Sequence, residues 1–158
     1  MSNIDVGKKA PQFTLEGTGG SWSLSSGMGS PVVIYFYPRD NTPGCTQEGE
    51  DFAAAYPHFK KAKTSIFGIS ADSMAAHEKF KQKMTFPFEL LSDPDKKVCA
   101  LYDVIREKSM YGKKFMGIER STFLIDGSGV LRAEWRGLTV AGHVEEVLKA
   151  VKAIKKTG

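Results

Sequence analysis

This chain lacks any hydrophobic run long enough to form a membrane-spanning helix. Its longest uninterrupted apolar stretch, residues 32–37, has six residues, whereas a helix that spans a bilayer needs about 20. The amino terminus does not carry a basic segment followed by an apolar stretch, so no secretory signal is predicted. We therefore expect a cytoplasmic protein with no membrane partner.

Cysteine is scarce. The only two cysteines among the 158 residues are Cys45 and Cys99, too few for a disulfide framework, which favours an intracellular protein. A thioredoxin-type disulfide reductase needs two cysteines separated by two residues. Cys45 is followed by Thr46, Gln47 and Glu48, so the sequence argues against that class of enzyme.

Charge of one sign does not dominate either. The 22 Lys and Arg residues exceed the 18 Asp and Glu residues only slightly, for a formal net charge of +4. The lysines are spread along the chain, and several fall on predicted helix faces or near the carboxyl ends of helices, where cations interact well with the helix dipole. We interpret them as solvated surface and expect no nucleic-acid partner.

Motifs for metal or cofactor binding are missing as well. His58, His77 and His143 are not spaced like metal ligands, and each is predicted to be a surface or packing residue. The chain has no dinucleotide fingerprint, P-loop or paired-cysteine metal motif. The sequence therefore predicts neither a metal site nor a cofactor.

The pattern of apolar residues predicts one α/β domain over residues 1–158, with a mixed central β-sheet, helices on both of its faces and an N-terminal β-hairpin. A further hairpin is expected around the turn at residues 126–129. Helices are expected from Ser73, from Asp93-Pro94 and in the carboxyl-terminal segment, and a helix beginning near Pro43 should end near Pro57. The predicted strands are residues 13–15, 22–24, 32–37, 65–70, 122–125 and 130–135.

Residues 109–117 are interpreted as a loop that carries the apolar side chains of Met110, Tyr111, Phe115 and Met116. Two readings remain open for these side chains. They could pack as a satellite of the core, or they could form a hydrophobic rim that accepts bulky organic or lipid hydroperoxides.

Cys45 follows the predicted buried strand at residues 32–37 and lies at the start of the next helix. Thr42 suits the N-cap position, and Pro43 suits the first helical position, where its missing N–H costs nothing. Cys45 would then lie among unpaired backbone N–H groups at the positive end of the helix dipole. These groups stabilise a thiolate, which is the form that attacks electrophiles, so we predict that Cys45 is a nucleophile.

Several motifs carry a resemblance to a known family. Thr42-Pro43-Gly44-Cys45-Thr46 follows Pro38 in a Pro-x-x-x-Thr-x-x-Cys arrangement, and residues 109–113 and 117–126 continue the match. Over nearly its whole length the chain resembles the peroxiredoxins, and within them the bacterioferritin comigratory protein, or peroxiredoxin Q, group. The resemblance implies a thioredoxin-like fold and thiol-dependent peroxidase activity.

The resemblance also implies roles for individual residues. It makes Cys45 the peroxidatic cysteine, with Thr42 and Pro38 as its companions, and Arg120 the active-site arginine. Glu48 occupies a position where many members carry an acidic or amide residue. Thr42, Gly44, Glu48 and Arg120 are the expected substrate-binding residues, with Thr42 offering its hydroxyl and Arg120 its permanent positive charge.

One departure from the family pattern concerns the second cysteine. Many members of the group carry a resolving cysteine five residues after the peroxidatic one, where this chain has Glu50. Only Cys99 remains, and it is interpreted mainly as a structural thiol on a short helix. An intramolecular resolving role and an intermolecular bridge stay open as alternatives.

The expected function is reduction of hydrogen peroxide and organic hydroperoxides in a one-cysteine cycle. The sulfenic acid of Cys45 would be resolved by an external thiol, supplied by thioredoxin or by glutathione with glutaredoxin. The group resembled suggests a monomer. The alternative is a non-enzymatic redox-sensing or holdase module that uses the same thiol.

Overall fold

The protein is described by a computed structural model that covers residues 4–157, with side chains up to residue 154. Residues 1–3, part of the amino terminus interpreted above, and residue 158 lie outside the described residues. Within the described part the α-helices are α1 (Pro43–Lys61), α2 (Met74–Met84), α3 (Lys97–Leu101) and α4 (His143–Thr157), and Leu24–Gly27 form a short 3-10 helix. The strands are β1 (Thr14–Gly17), β2 (Trp22–Ser23), β3 (Val32–Phe36), β4 (Ser65–Ser70), β5 (Glu89–Ser92), β6 (Ile105–Met110), β7 (Lys113–Ile118), β8 (Ser121–Ile125) and β9 (Leu131–Arg136).

The main sheet of the described residues is mixed, with strand order β2-β1-β5-β4-β3-β8-β9. β3 pairs in parallel with β4, which pairs in parallel with β5. The hairpin strand β8 lies antiparallel on the other side of β3. β3 is therefore central, and the chain leaves its carboxyl end directly toward α1, between two strands that can supply side chains to the same place.

Alternation along β3 divides the interior into two hydrophobic clusters, one on each face of the sheet. Val33 and Tyr35 point into the cluster that also holds Cys45 of α1 and Val147 of α4. Val32, Ile34 and Phe36 point into the other cluster, which contains the buried residues of α3. Both faces of this strand are buried, as its continuous apolar pattern predicts.

Helix α1 continues to Lys61 rather than ending near Pro57 as expected. A proline inside a helix removes one backbone N–H and disturbs the turn before it. Here Phe52 and Phe59, two turns apart on one face, are both fully buried in the cluster around Val33. Burial of Phe59 stabilises the last turns enough to offset the local cost of Pro57.

Residues 109–117 form a β-hairpin with their neighbours, so the expected loop is wrong. β6 and β7 pair from Ile105↔Ile118 to Met110↔Lys113 and make a separate two-stranded sheet. Its turn is Tyr111-Gly112, and both residues have positive φ, at 53° and 76°. Positive φ at both turn positions matches the twist of a two-residue hairpin, which explains how a six-residue ladder forms here.

In the described part of the chain, none of the helices has the length and apolar character required to cross a membrane.

Candidate functional site

Cys45 is the third residue of α1, and its side chain is 2% exposed. Thr42 has the extended backbone of an N-cap, Pro43 is the first helical residue, and the Thr42 carbonyl accepts the Thr46 N–H at 2.8 Å. The backbone N–H groups of the first turn lack partners within the helix. The thiol therefore lies at the positive end of a 19-residue helix.

The hydroxyl of Thr42 does not cap the helix, although Thr42 occupies the N-cap position. It makes no hydrogen bond to the first-turn amides, and instead donates to the Arg39 carbonyl at 2.9 Å. The hydroxyl hydrogen is thus engaged, while the oxygen keeps lone pairs that can accept a hydrogen bond. The first-turn amides are left to act as donors beside Cys45.

Arg120 lies between β7 and β8, and its guanidinium reaches over the start of α1. One nitrogen, Nη2, lies 3.4 Å from Cys45 Sγ, while Nη1 donates to Glu48 Oε1 at 2.7 Å. The side chain is 18% exposed. A single cation thus contacts both the thiol and a carboxylate, 72 to 75 residues away in sequence.

Glu48 lies one helical turn after Cys45 and is fully buried. Burial raises the pKa of its carboxyl to about 7, although the neighbouring Arg120 cation works in the opposite direction. Its Oε2 atom has no hydrogen-bond partner among the residues that the structure describes. Glu48 is therefore a buried acid that changes protonation near neutral pH beside the thiol.

Gly44 makes the approach of Arg120 possible. A Cβ atom at this position would lie 2.9 Å from Arg120 Nη2, closer than nonbonded atoms tolerate. Absence of a side chain at position 44 therefore opens the space in which the guanidinium lies beside Cys45.

A buried polar network holds the segment between β3 and α1. Asp40 accepts from the Tyr37 hydroxyl at 2.5 Å and lies 2.7 Å from His77 Nδ1 on α2. His77 Nε2 faces the Leu91 carbonyl at 2.9 Å, so Nε2 carries hydrogen. Pro38, half-buried, lies inside this segment, next to Tyr37. The network ties the loop before Cys45 to a second helix.

The same network contains the one group of described residues whose geometry could hold a metal ion: Asp40, Asp72 and His77. Its atoms are already engaged by protein. Asp72 Oδ2 accepts from the Ser70 hydroxyl at 2.6 Å and from the Asp40 amide at 2.8 Å. We interpret the group as a structural hydrogen-bond network, which sequence spacing did not reveal because the three residues come from three segments.

His143 is buried at the start of α4, where its Nε2 lies 2.8 Å from the Thr122 hydroxyl. Burial, followed by the charge of Arg120, lowers the pKa of His143 to about 4. The side chain is therefore neutral at pH 7. His58 is exposed, so the three histidines divide into one surface and two packing residues, as the sequence predicted.

Cys99 lies in α3 and is fully buried in the cluster on the opposite face of the sheet from Cys45. Burial raises the pKa of its thiol, and Asp93 raises it further. The Asp93 carboxylate accepts the Cys99 backbone N–H at 2.8 Å. Both cysteines are free thiols, and the central sheet separates them.

Lys108 is a neighbour of the site that the sequence analysis missed. It lies on β6 opposite Phe115, and its Nζ donates to the Ile118 carbonyl at 2.5 Å. Burial, followed by repulsion from Arg120, lowers its pKa, while Cys45 acts in the opposite direction. Only the β6–β7 pairing brings this lysine toward Arg120, so no linear spacing signalled it.

A thiol, an arginine and a buried carboxylate thus meet at the amino terminus of α1. Similarity to known proteins shows which family has this arrangement. The model of the AhpC/TSA family matches residues 6–134. The chain belongs to this family. It is 49% identical to Peroxiredoxin Bcp of Xanthomonas campestris over 92% of this chain and 85% of that protein. It is 46% identical to Peroxiredoxin Bcp of Bacillus subtilis over 94% of this chain and 96% of that protein.

Solved structures of the same group have a similar fold. The chain resembles the bacterioferritin comigratory protein of Xanthomonas campestris with a TM-score of 0.88 and 46% identity over 94% of this chain and 98% of that one. It resembles a Cys-to-Ser mutant of Xylella fastidiosa PrxQ with a TM-score of 0.91 and 39% identity over 98% and 99%. The fold is thioredoxin-like α/β, the chain is a peroxiredoxin of the Bcp/peroxiredoxin Q group, and it is a thiol-dependent peroxidase.

Proposed function

We propose that Cys45 is the peroxidatic cysteine of this peroxidase. Its thiolate attacks the terminal oxygen of a hydroperoxide, an S–O bond forms as the O–O bond breaks, and the leaving oxygen takes up a proton to become water or an alcohol. The product on the protein is a sulfenic acid. The observation that carries this assignment is the 3.4 Å contact between Arg120 Nη2 and Cys45 Sγ at the start of α1.

Thr42 and Arg120 bind the peroxide from two sides. Because the Thr42 hydroxyl hydrogen is held by the Arg39 carbonyl, the hydroxyl that Thr42 offers acts as an acceptor for the peroxide O–H. Arg120 donates to the oxygens across the breaking bond, where negative charge grows in the transition state. Gly44 leaves room for that guanidinium.

Glu48 acts as a positioning residue in this proposal. Its hydrogen bond fixes one nitrogen of Arg120, so the other is held toward Cys45. Pro38, which lacks an N–H, shields the site from water while the Asp40 network holds the same segment. Neither residue changes its covalent bonds during the reaction.

The sulfenic acid is resolved by a thiol from outside the chain. Cys99 is buried behind the sheet, and a disulfide requires the two Cα atoms to approach within about 7 Å. Thioredoxin, or glutathione with glutaredoxin, is the proposed reductant. The related Xanthomonas protein is described as having alkyl peroxide reduction activity. We extend that substrate class to this chain and add hydrogen peroxide. We also propose that the protein is monomeric and cytoplasmic.

Peroxide consumption with dithiothreitol as reductant tests the assignment. Cys45→Ser should abolish turnover, while Cys99→Ser should retain most of it. Mass spectrometry after one equivalent of peroxide should find Cys45 sulfenic acid, trapped with dimedone, and no Cys45–Cys99 disulfide. Full turnover by Cys45→Ser would overturn the peroxidatic role, and an internal disulfide in most molecules would overturn the one-cysteine cycle.

A further inference from the structure

The β6–β7 hairpin carries most of the exposed large apolar surface of the protein. Of the six large hydrophobic side chains that are exposed among the described residues, four lie within seven positions of each other on this hairpin. Tyr111 is 97% exposed, Met110 58%, Met116 53% and Phe115 44%. Such exposure excludes packing as a satellite of the core, while the hydrophobic rim that accepts bulky hydroperoxides stays a prediction.

The hairpin also carries most of the net charge. Residues 105–118 contain four cations, Arg106, Lys108, Lys113 and Lys114, against the single carboxylate of Glu107. The rest of the chain has 18 basic and 17 acidic residues. A net charge of +3 out of +4 is therefore concentrated in 14 residues, where a sequence-wide count had shown only scattered lysines.

The pairing register shows how apolar and basic groups are arranged. Met110 pairs with Lys113, and Lys108 pairs with Phe115. Directly opposed residues in an antiparallel pair share a face, so these four side chains lie on one face. Met116 and Lys114 lie on the other. Tyr111 occupies the tip between the faces.

We propose that this hairpin docks the enzyme on an anionic phospholipid bilayer. Apolar side chains emerge from both faces of this two-stranded ribbon and from its tip, so a flat protein surface would cover only part of them. A lipid surface can surround such a tip. Lys113 and Lys114, the exposed cations next to the tip, match negative headgroups while their stems remain in apolar surroundings, and tyrosine favours the interface between water and lipid.

The position of the hairpin relates docking to the reaction. β7 ends two residues before Arg120, and Lys108 lies close enough to Arg120 and Cys45 for their charges to act on it. Docking through the tip would hold the base of the hairpin, and with it Arg120 and the start of α1, within about 20 Å of the lipid, the length of the six-residue strand β7 at about 3.3 Å per residue. The inference rests on the proposed peroxidase function and extends it to peroxides carried in a bilayer. The earlier expectation of no membrane partner considered spanning segments, which surface docking does not need.

Co-sedimentation with vesicles tests the proposal. Wild-type protein should partition onto vesicles of equal parts phosphatidylcholine and phosphatidylglycerol at least tenfold more than onto pure phosphatidylcholine, and less so in high salt. Lys113→Glu/Lys114→Glu should lose at least tenfold of this partition. The matched control Lys60→Glu/Lys61→Glu, which reverses an exposed pair on α1, should bind within twofold of wild type.

A second variant tests the apolar tip without endangering the fold. In Met110→Ser/Tyr111→Asn, asparagine suits the positive φ of position 111 better than tyrosine, so the turn is preserved. It should lose at least fivefold in partition, while Val6→Ser/Met28→Ser, at the other exposed apolar residues, should not. Wild-type partition no greater than that of Lys113→Glu/Lys114→Glu would overturn the proposal. So would a wild-type dimer in sedimentation that Met110→Ser/Tyr111→Asn abolishes, with no vesicle binding.

Activity separates this inference from the proposed function. The hairpin variants should reduce hydrogen peroxide in solution at the wild-type rate, and reduce peroxidised phospholipid in anionic vesicles at least fivefold more slowly. Cys45→Ser should bind vesicles like wild type and turn over neither substrate. Retained turnover in Cys45→Ser contradicts the catalytic assignment alone, and absent vesicle binding contradicts docking alone.

Discussion

Glu48 and Arg120 form an ion pair in which Oε1 of the buried carboxyl lies 2.7 Å from Nη1 of the partly exposed guanidinium. The second carboxyl oxygen has no partner among the described residues. Burial therefore raises the pKa of Glu48 to about 7 despite the adjacent cation. The pair places a proton-binding group one helical turn from Cys45, where a change of its charge alters how strongly Arg120 acts on the thiol.

Stability should depend on pH through Glu48. The folded carboxyl holds its proton up to about pH 7, while the unfolded one releases it near its ordinary value of about 4.3. The stabilisation is therefore fully present below that ordinary value and is lost as pH rises through 7, by on the order of 3 kcal/mol in total. Glu48→Gln should remove this slope, as measured by urea unfolding between pH 4.5 and 8. The matched control Glu50→Gln, exposed on the same helix, should keep it, and an identical slope in wild type and Glu48→Gln would refute the expectation.

Arg120→Lys should lower kcat/KM for hydrogen peroxide by roughly 100-fold, almost as much as Arg120→Ala. Loss of one positioned transition-state donor typically costs about 10²–10³ in rate. A lysine ammonium cannot contact both Glu48 and the thiol as the guanidinium does. Steady-state kinetics with Arg132→Lys as control, at a more exposed ion pair with Asp126, should show no loss there. Near-normal kcat/KM in Arg120→Lys would mean that charge alone suffices.

Gly44→Ala should separate activity from stability. Alanine favours the helix by about 1 kcal/mol over glycine, so the free energy of unfolding should stay level or rise. Its Cβ would displace Arg120 Nη2 from a position only 2.9 Å away, and we expect roughly a tenfold loss of kcat/KM. Peroxidase assays and urea unfolding of the same preparation check both. Equal loss of stability and activity would point to general disruption of α1 instead.

Asp40→Ala should destabilise the fold by about 3 kcal/mol, because it leaves the buried Tyr37 hydroxyl and His77 Nδ1 without their carboxylate. Urea unfolding at pH 7 measures the loss. Asp95→Ala, at an exposed position, serves as control and should change stability by less than about 0.5 kcal/mol. A loss below about 1 kcal/mol for Asp40→Ala would show that water replaces the carboxylate without strain.

Much of the fold could be predicted from the sequence because it depends on local features of the chain. The continuous apolar run of β3, the Ser73 cap, whose hydroxyl accepts the Ala76 N–H, and the turn between β8 and β9 all depend on neighbours in the chain. Helix α1 passed Pro57 because Phe59 is buried against distant residues. The β6–β7 hairpin was missed because its turn places a tyrosine, rather than a residue typical of turns, at positive φ.

Local sequence alone places Cys45 at the start of a helix, because Thr42 and Pro43 favour the N-cap and first helical positions through backbone preferences that act within a few residues. Tertiary structure decided what surrounds the thiol. The contact of Arg120 with Glu48 and Cys45, the isolation of Cys99 behind the sheet and the Asp40–His77 network all join segments tens of residues apart. Such contacts follow from strand order and burial, which local preferences do not encode.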